Sequence, residues 1–236
     1  MTKPLKILVI IPAYNEEGSI CGVIEEIRAL KTDMDILVIN DASTDETECL
    51  VADMNEIVLT LPFNLGIGGA VQTGFKYAHD NGYDIAVQVD GDGQHIPGQI
   101  PLLIEALQTE ADVVVGSRFI RTLGYTTSRT RRIGVHVFML VNSLILKQKI
   151  TDSTSGFRAY NKRAVAFLAN YYPHDYPEPE SIVMLGRNGF CIREVAVEMR
   201  GREHGQSSIS ALRSVYYMIK VLLAIFVDLF REKIIH

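Results

Sequence analysis

The sequence predicts an α/β domain with a mostly parallel central sheet and helices on both of its faces. The main observation is that short apolar, β-branched runs alternate along the chain with longer segments of helical periodicity. A second observation is that neither an internal repeat nor a low-complexity linker divides the 236 residues, which suit one large domain. We expect this domain to span residues 1–213, and an amphipathic helix to occupy residues 214–236.

The first half of the chain alternates regularly between strands and helices. Strands are predicted where β-branched apolar runs stop at polar or turn residues, and helices where apolar residues recur every three or four positions. The predicted strands cover residues 7–11, 36–39, 57–59, 85–89 and 113–115, and the helices cover residues 16–30, 66–79 and a segment after Pro97.

The second half is less regular. A helix with a heavily apolar face is predicted over residues 133–147, and a short strand over residues 156–160. Residues 190–199 alternate between apolar and polar, but the phase slips at Arg193 and Glu194. A β-bulge, or two short strands, would explain the slip.

Composition and charge exclude several classes of protein. Hydrophobic residues make up 47% and charged residues 22%, which excludes a disordered chain. The net charge of −5 argues against a nucleic-acid partner. The three cysteines lie far apart without a CxxC pair, so we expect no structural zinc and a reducing, cytoplasmic setting. The N-terminus is predicted to be a buried strand rather than a signal peptide.

Polar residues follow four of the predicted strands. They occupy residues 12–16, 40–45, 90–95 and 116–118. In an open parallel sheet, ligands bind beyond the carboxyl ends of the strands. These ends therefore predict a binding site.

Asp90-Gly91-Asp92 is the most informative of these segments. Two carboxylates just past a buried strand offer oxygen ligands to Mg²⁺ or Mn²⁺, and such a metal would keep open positions for a diphosphate. Gln94 or His95 would add a ligand or a supporting contact. An ordinary turn is the alternative, because Asp and Gly are also common in turns.

The glycines at 66, 68 and 69 do not form a dinucleotide-binding fingerprint, since they lack its spacing and do not follow the first strand. Close packing at the start of a helix explains them, and a backbone contact from Gly68 to a nucleotide is the alternative.

Arginines cluster in residues 118–132, which contain no acidic residue. Guanidinium groups suit phosphate oxygens, so we predict an anion site rather than a solvated basic loop.

Six short motifs, in this order along the chain, resemble those of family 2 inverting glycosyltransferases with a GT-A fold. They are PAYNE at 12–16, NDASTD at 40–45, NLG at 64–66, DGDGQH at 90–95, GSR at 116–118 and SGFR at 155–158. Within that family the chain is similar to dolichyl-phosphate mannose synthases and bacterial polyprenyl-phosphate sugar transferases.

The resemblance implies roles for individual residues. The expected nucleotide contacts are Pro12, Ala13, Tyr14, Glu16, Asp41, Gly68, Asp90 and Gly91, with Asp41 at the nucleobase. The expected ligands of Mg²⁺ or Mn²⁺ are Asp90, Asp92 and Gln94. Phosphate or acceptor contacts fall on Arg118, Arg129, Arg131 and Arg132, and a loop closing over the donor would carry His204, Gln206 and Ser207.

The acceptor is left open between a polyprenyl phosphate and a lipid-linked saccharide. Glu178 and Glu180 occupy the region where relatives acting on sugar hydroxyls keep an acidic base, so both are candidate catalytic residues beside Arg118. An ionised phosphate needs no such base, whereas a hydroxyl does. Acidic residues opening a helix are the alternative interpretation of this pair.

The C-terminal segment, residues 214–235, would cover one broad helix face with apolar side chains. Lys220 and Asp228 interrupt it, so its apolar run falls below the ~18 residues of a membrane-spanning helix. We expect an interfacial helix, or one docked on a small membrane protein, with a core helix as the alternative. This expectation places the protein on the cytoplasmic face of the membrane. Assembly into a homo-oligomer is left open.

The resemblance therefore implies a metal-dependent inverting transfer of a sugar from a nucleotide-diphosphate sugar, with a uridine- or thymidine-linked donor as the default. A sugar-phosphate nucleotidyltransferase is one rival, but it would carry a glycine-rich basic loop where this chain has Tyr14, Asn15 and Glu16. A non-catalytic subunit of a membrane complex is the other, and it would not need Asp90 and Asp92.

Overall fold

The structure, a computed structural model, describes residues 4–109, 111–120 and 139–201 together with residues 220, 222, 223, 226 and 227. Several predictions lie outside these residues. They concern Arg129, Arg131 and Arg132, the donor loop with His204, Gln206 and Ser207, the beginning of the predicted 133–147 helix, and most of the C-terminal helix.

Strands and helices alternate through the first half, as the sequence predicts. The elements are β1 (Ile7–Ala13), α1 (Ile20–Ala29), β2 (Asp35–Asn40), α2 (Thr47–Asp53), β3 (Ile57–Thr60), α3 (Gly66–Asp80), β4 (Ile85–Gln88), a 3₁₀ turn (Pro97–Gln99), α4 (Ile100–Leu107) and β5 (Val113–Ser117). The second half adds α5 (described over residues 139–146), β6 (Arg158–Asn161), α6 (Lys162–Asn170), α7 (Pro177–Arg187) and β7 (Ile192–Ala196).

The seven strands form one mixed sheet in the order β3-β2-β1-β4-β6-β5-β7. Strand β6 runs antiparallel to both of its neighbours, and the other pairs are parallel. The predicted α/β class and mostly parallel sheet are confirmed. The carboxyl ends of β1, β2 and β4 consequently meet along one edge of the sheet.

Helices cover both faces of the sheet, and β1 shows how. Leu8 and Ile10 face a core that includes residues of α3, α6 and α7, whereas Val9 and Ile11 face a core that includes residues of α1 and α4. All four side chains are fully buried. A strand buried on both faces needs apolar residues at every position, which explains the unbroken apolar run that predicts β1.

Strand β7 departs from its prediction. It pairs with β5 in unbroken register over residues 192–196, so the β-bulge expected at Arg193 and Glu194 is absent from this described stretch. The apolar alternation slips because Glu194 turns its carboxylate toward the backbone of Thr151 and Asp152, and accepts hydrogen bonds there. A separate bridge pairs Met199 with His95, which agrees with a second short pairing beyond β7.

No helix within the described residues combines the length and the apolar character needed to cross a membrane.

Candidate active site

A cavity of about 450 Å³ opens at the carboxyl ends of β1, β2 and β4. It contains all of the predicted nucleotide contacts except Gly68, and α3 adds Ile67 and Ala70 to its wall. Its lining residues are Pro12, Ala13, Tyr14, Glu16, Asp41, Ile67, Ala70, Asp90, Gly91 and Asp92. The structure thus brings together side chains that the sequence places on three separate strand ends.

Two loops form one side of this cavity and are hydrogen-bonded to each other. The backbone N–H of Asn15 donates to Ser43 Oγ over 3.0 Å, and the N–H of Thr44 donates to Asn15 Oδ1 over 2.8 Å. The N–H of Glu16 donates to Thr47 Oγ1 over 2.9 Å. These bonds explain why both motifs are rich in hydroxyl and amide side chains, and they fix Tyr14 at the rim of the cavity.

Asp41 lies at the base of the same wall and is almost fully buried. Its carboxylate accepts the backbone N–H of Leu65 at 2.7 Å and that of Gly66 at 2.9 Å. Asp41 therefore secures the start of α3, in addition to facing the cavity. A negative charge at this helix start is also favoured by the helix dipole.

Gly68 has a packing reason for lacking a side chain. A Cβ at this position would lie 2.6 Å from the carbonyl oxygen of His174 and 2.8 Å from that of Pro173. These are backbone atoms, which cannot swing aside as a flexible side chain does. The structure thus places Gly68 against the chain between α6 and α7, outside the residues that line the cavity.

Asp90 and Asp92 lie at the cavity floor, where neighbouring groups orient them. The backbone N–H of Asp90 donates to His95 Nδ1 over 3.0 Å, and His95 Nε2 is 3.5 Å from Asp90 Oδ2. Gln94 donates to the Asp92 carboxylate from its backbone N–H (3.0 Å) and from its side-chain amide (2.6 Å). His95 thus gives the supporting contact that its position suggested, and Gln94 supports the Asp92 carboxylate.

The electrostatics of this floor suit a cation. Partial burial, with the Asp92 carboxylate beside it, raises the pKa of Asp90 to about 7. Burial lowers the pKa of His95 to about 4, so this imidazole is neutral at pH 7. Among the described residues, no group of three or more His, Cys, Asp or Glu side chains could hold a metal. Two carboxylates still fit Mg²⁺ or Mn²⁺, because Mg²⁺ is usually held by one or two carboxylates together with substrate phosphates.

Arg118 follows β5 and is held in an ion pair. Its guanidinium contacts both carboxylate oxygens of Asp152, with Nε at 2.6 Å from Oδ2 and Nη2 at 2.7 Å from Oδ1. Nη2 also donates to Thr154 Oγ1 over 2.7 Å. Asp152 is in turn fixed by Glu194, whose carboxylate accepts its backbone N–H at 2.8 Å. Sequence reasoning missed Asp152 and Glu194; the phase slip at 193–194 was a signal for Glu194, and none marked Asp152.

Glu178 and Glu180 occupy the first turn of α7, as the helix-start interpretation expects. Glu180 is buried. Burial raises the pKa of Glu178, an effect that the guanidinium of Arg158 opposes. The carboxylate of Asp90 adds to this rise, which places Glu178 within electrostatic reach of the cavity floor. A catalytic role for the pair stays a prediction.

Arg158, in the SGFR motif, is a fully buried arginine to which sequence reasoning gave no role. Nε donates to the carbonyl of Ser155 over 2.7 Å and Nη2 to that of Ser153 over 2.9 Å. The same Nη2 reaches the carbonyl of Glu178 over 2.9 Å, and Nη1 donates to Ser181 Oγ over 2.9 Å. One guanidinium thereby joins the loop before β6 to the first turns of α7.

Comparison with known proteins gives matches over most of the chain. The profile of glycosyl transferase family 2 matches residues 8–168. An undecaprenyl-phosphate mannosyltransferase of Micrococcus luteus is 33% identical over 217 residues, which are 87% of this chain and 88% of that protein. A polyprenol monophosphomannose synthase of Mycolicibacterium smegmatis is 29% identical over 224 residues, covering 91% and 84% of the two chains.

Among solved structures, glucosyl-3-phosphoglycerate synthase of Mycobacterium tuberculosis, in complex with Mn²⁺, UDP and glucosyl-3-phosphoglycerate, superposes with a TM-score of 0.70. The two are 21% identical, and the match covers 95% of this chain and 79% of that one. That likeness shows the GT-A fold. With a family profile across more than half of its length and the relatives above, the chain belongs to glycosyl transferase family 2 and is a glycosyltransferase.

Proposed function

We propose that the chain transfers a sugar from a nucleotide-diphosphate sugar to the phosphate of a polyprenyl lipid, with inversion at the anomeric carbon. The observation that carries this proposal is the cavity in which Asp41, Asp90 and Asp92 converge from three strand ends. The names of the relatives, an undecaprenyl-phosphate mannosyltransferase and a polyprenol monophosphomannose synthase, support this class of acceptor.

The donor's nucleotide would lie between the PAYNE loop and α3. Asp41 is suited to accept an N–H of the base, and Tyr14 and Ile67 add apolar surface to the lining of the same cavity. A sugar linked to uridine diphosphate or thymidine diphosphate is the default donor. The Mycobacterium tuberculosis neighbour was crystallised with UDP and Mn²⁺, which supports this choice.

The carboxylates of Asp90 and Asp92 would hold Mg²⁺ or Mn²⁺, with Gln94 as a further ligand or as the support of Asp92. The metal, when bound, neutralises negative charge on the leaving diphosphate. The chain's own contribution is to keep the two carboxylates at the cavity floor, through His95 and Gln94.

The reaction needs no protein base if the acceptor is a phosphate. An acceptor phosphate oxygen forms a bond to the anomeric carbon, and the bond from that carbon to the diphosphate breaks with its electron pair. Arg118, with Arg129, Arg131 and Arg132, would supply cations for the acceptor phosphate. A saccharide hydroxyl is the second candidate acceptor, favoured by the raised pKa of Glu178, because a general base works best near the pH of the reaction.

Membrane attachment would bring the site to its lipid acceptor. In the described part of the C-terminal segment, Leu222 packs with Val141 and Ile145 around Val183 of α7. Apolar side chains of the same region stay exposed, by 66% at Leu140, 81% at Leu144, 60% at Leu223 and 56% at Phe226. We propose that this apolar surface holds the protein on the cytoplasmic face of the membrane, directly or through a small membrane protein.

A transfer assay tests the proposed function. The full-length chain is incubated with a panel of nucleotide sugars, polyprenyl phosphate in detergent, and Mg²⁺ or Mn²⁺, and the lipid product is identified by mass spectrometry. We expect one donor to give a polyprenyl phosphate that carries the sugar, and we expect chelation of the metal to stop the reaction. Transfer to a lipid-linked saccharide but not to polyprenyl phosphate would reject the acceptor, and undiminished transfer after chelation would reject the metal.

A further inference from the structure

Gly156 lies directly against the carboxylate of Asp90. A Cβ at position 156 would be 3.0 Å from Asp90 Oδ1, 3.1 Å from Oδ2 and 3.2 Å from Nε2 of the buried Gln88. The backbone of Gly156 is not in the left-handed region, so an L residue meets no torsional obstacle there. Space for the Asp90 carboxylate is therefore the reason for a glycine at this position.

The backbone that carries Gly156 is fixed and cannot move back to admit a side chain. Arg158 binds the carbonyls of Ser153 and Ser155 on one side of it, from a guanidinium that is itself fully buried. On the other side, the carbonyl of Phe157 accepts the backbone N–H of Gly116 at 2.8 Å. A Cβ added at 156 would therefore displace the Asp90 carboxylate, and not the loop.

The next residue, Phe157, supports Asp90 from a second direction. Its ring stacks on His95, with 4.9 Å between the ring centroids and 18° between the ring planes. His95 Nδ1 accepts the backbone N–H of Asp90. Both rings are buried, so the imidazole has little freedom to turn. Adjacent residues of one loop thus hold the carboxylate and the backbone of Asp90.

We propose that Gly156 and Phe157 are positioning residues that seat Asp90 for a divalent cation and set which cation fits. Gly156 does so by leaving room for the carboxylate, and Phe157 by holding the His95 ring. This inference rests on the proposed metal site at Asp90 and Asp92.

The expected effect follows from metal geometry. A contact of 3.0–3.1 Å requires the carboxylate to give way by a few tenths of an ångström. Metal–ligand distances hold to about 0.2 Å, and Mg²⁺ demands near-ideal octahedral geometry, whereas Ca²⁺ accepts flexible coordination. Changes next to metal ligands typically cost about 10-fold to 100-fold in affinity. Gly156→Ala should therefore lose more affinity for Mg²⁺ than for Ca²⁺.

Metal binding without turnover provides the test. Free Mn²⁺ is followed by electron paramagnetic resonance in the presence of UDP, and Mg²⁺ or Ca²⁺ is added as a competitor. For Gly156→Ala we expect Mg²⁺ affinity to fall about 10-fold or more and the Mg²⁺-to-Ca²⁺ affinity ratio to fall with it. Gly22→Ala is the matched control, because a Cβ at this exposed position of α1 meets nothing within 4 Å. An unchanged ratio in Gly156→Ala would overturn the inference.

Phe157→Leu keeps the test decisive if Gly156→Ala fails to fold, which thermal unfolding without metal would show. This variant leaves Gly156 in place and removes only the ring beneath His95, so we expect a smaller fall of the same ratio. Equal losses for both metals, or none, would mean that Phe157 has a structural role only. If the wild-type chain binds no Mn²⁺ with UDP, the proposed metal site fails, and this inference fails with it.

Discussion

Replacing Asp41 with alanine separates the two tasks that the structure gives this carboxylate. The first task is structural, since the carboxylate accepts the backbone N–H groups of Leu65 and Gly66 at the start of α3. The N–H of Gly66 has a second acceptor in Asn64 Oδ1 at 3.0 Å, so the substitution leaves only the N–H of Leu65 without its side-chain acceptor. We therefore expect the free energy of unfolding to fall by only about 1–2 kcal/mol. For a chain of this size the melting temperature would fall by about 2–8 °C.

The second task of Asp41 is the proposed contact with the nucleobase. Losing a hydrogen bond to a charged acceptor costs about 1–3 kcal/mol, so the dissociation constant for UDP should rise about 5-fold to 150-fold. Calorimetry with UDP and Mn²⁺, at a temperature where the variant is fully folded, measures this dissociation constant. Asp53→Ala is the control, because Asp53 is an exposed aspartate at the end of α2. Unchanged UDP affinity beside a lowered melting temperature would refute the nucleotide role and leave Asp41 with its structural one.

Four further predictions concern other parts of the molecule. Asp92→Asn should nearly abolish transfer in a folded protein, because the diphosphate loses its counter-charge; near-normal activity with added Mg²⁺ or Mn²⁺ would remove Asp92 from the site. For a phosphate acceptor, Glu178→Gln and Glu180→Gln should be mild in steady-state kinetics and Arg131→Ala severe, whereas a hydroxyl acceptor predicts a loss of about a hundredfold or more when the glutamate that acts as the base is replaced; small, equal effects of all three changes would reject both acceptors. Gly68→Ala should destabilise the fold by about 1–3 kcal/mol in denaturant unfolding, because its Cβ meets backbone atoms; unchanged stability would contradict the packing role. Truncation before residue 214 should release the protein from membranes, as measured by sedimentation, and preserve UDP binding, as measured by calorimetry; if the truncated chain is unfolded, residues 214–236 form a core helix instead.

Most of the sheet was predictable because its signal is local. A strand buried on both faces reads as a continuous apolar run, as β1 does, and the polar residues after such runs had to meet at one edge of the sheet. Helix α2 was missed because only Thr47 and Val51 of its seven residues are buried, which is too few for a helical stripe. Helix α6 was also missed, although Asn161 caps it by accepting the backbone N–H of Ala164 at 2.9 Å.

The support of the site was not predictable, because it depends on contacts between distant parts of the chain. From sequence alone an arginine is expected at the surface, yet Arg158 is buried and finds its acceptors in carbonyls of the preceding loop and of α7. The motif containing Gly156 was recognisable from the sequence, but the reason for a glycine there was not. That reason is the Asp90 carboxylate, which would lie 3.0 Å from a Cβ at position 156 once the loop packs on the end of β4. Local patterns thus predicted residues that line the cavity and not the residues that hold them in place.

A crystal structure of the chain with UDP and Mn²⁺ would test the central claim most directly, namely that the ends of β1, β2 and β4 form a metal-dependent donor site. We expect the uracil beside Asp41, and the metal between the diphosphate and the carboxylates of Asp90 and Asp92. UDP bound outside this cavity, or a diphosphate in it without metal at the two carboxylates, would mean that these strand ends do not form such a site.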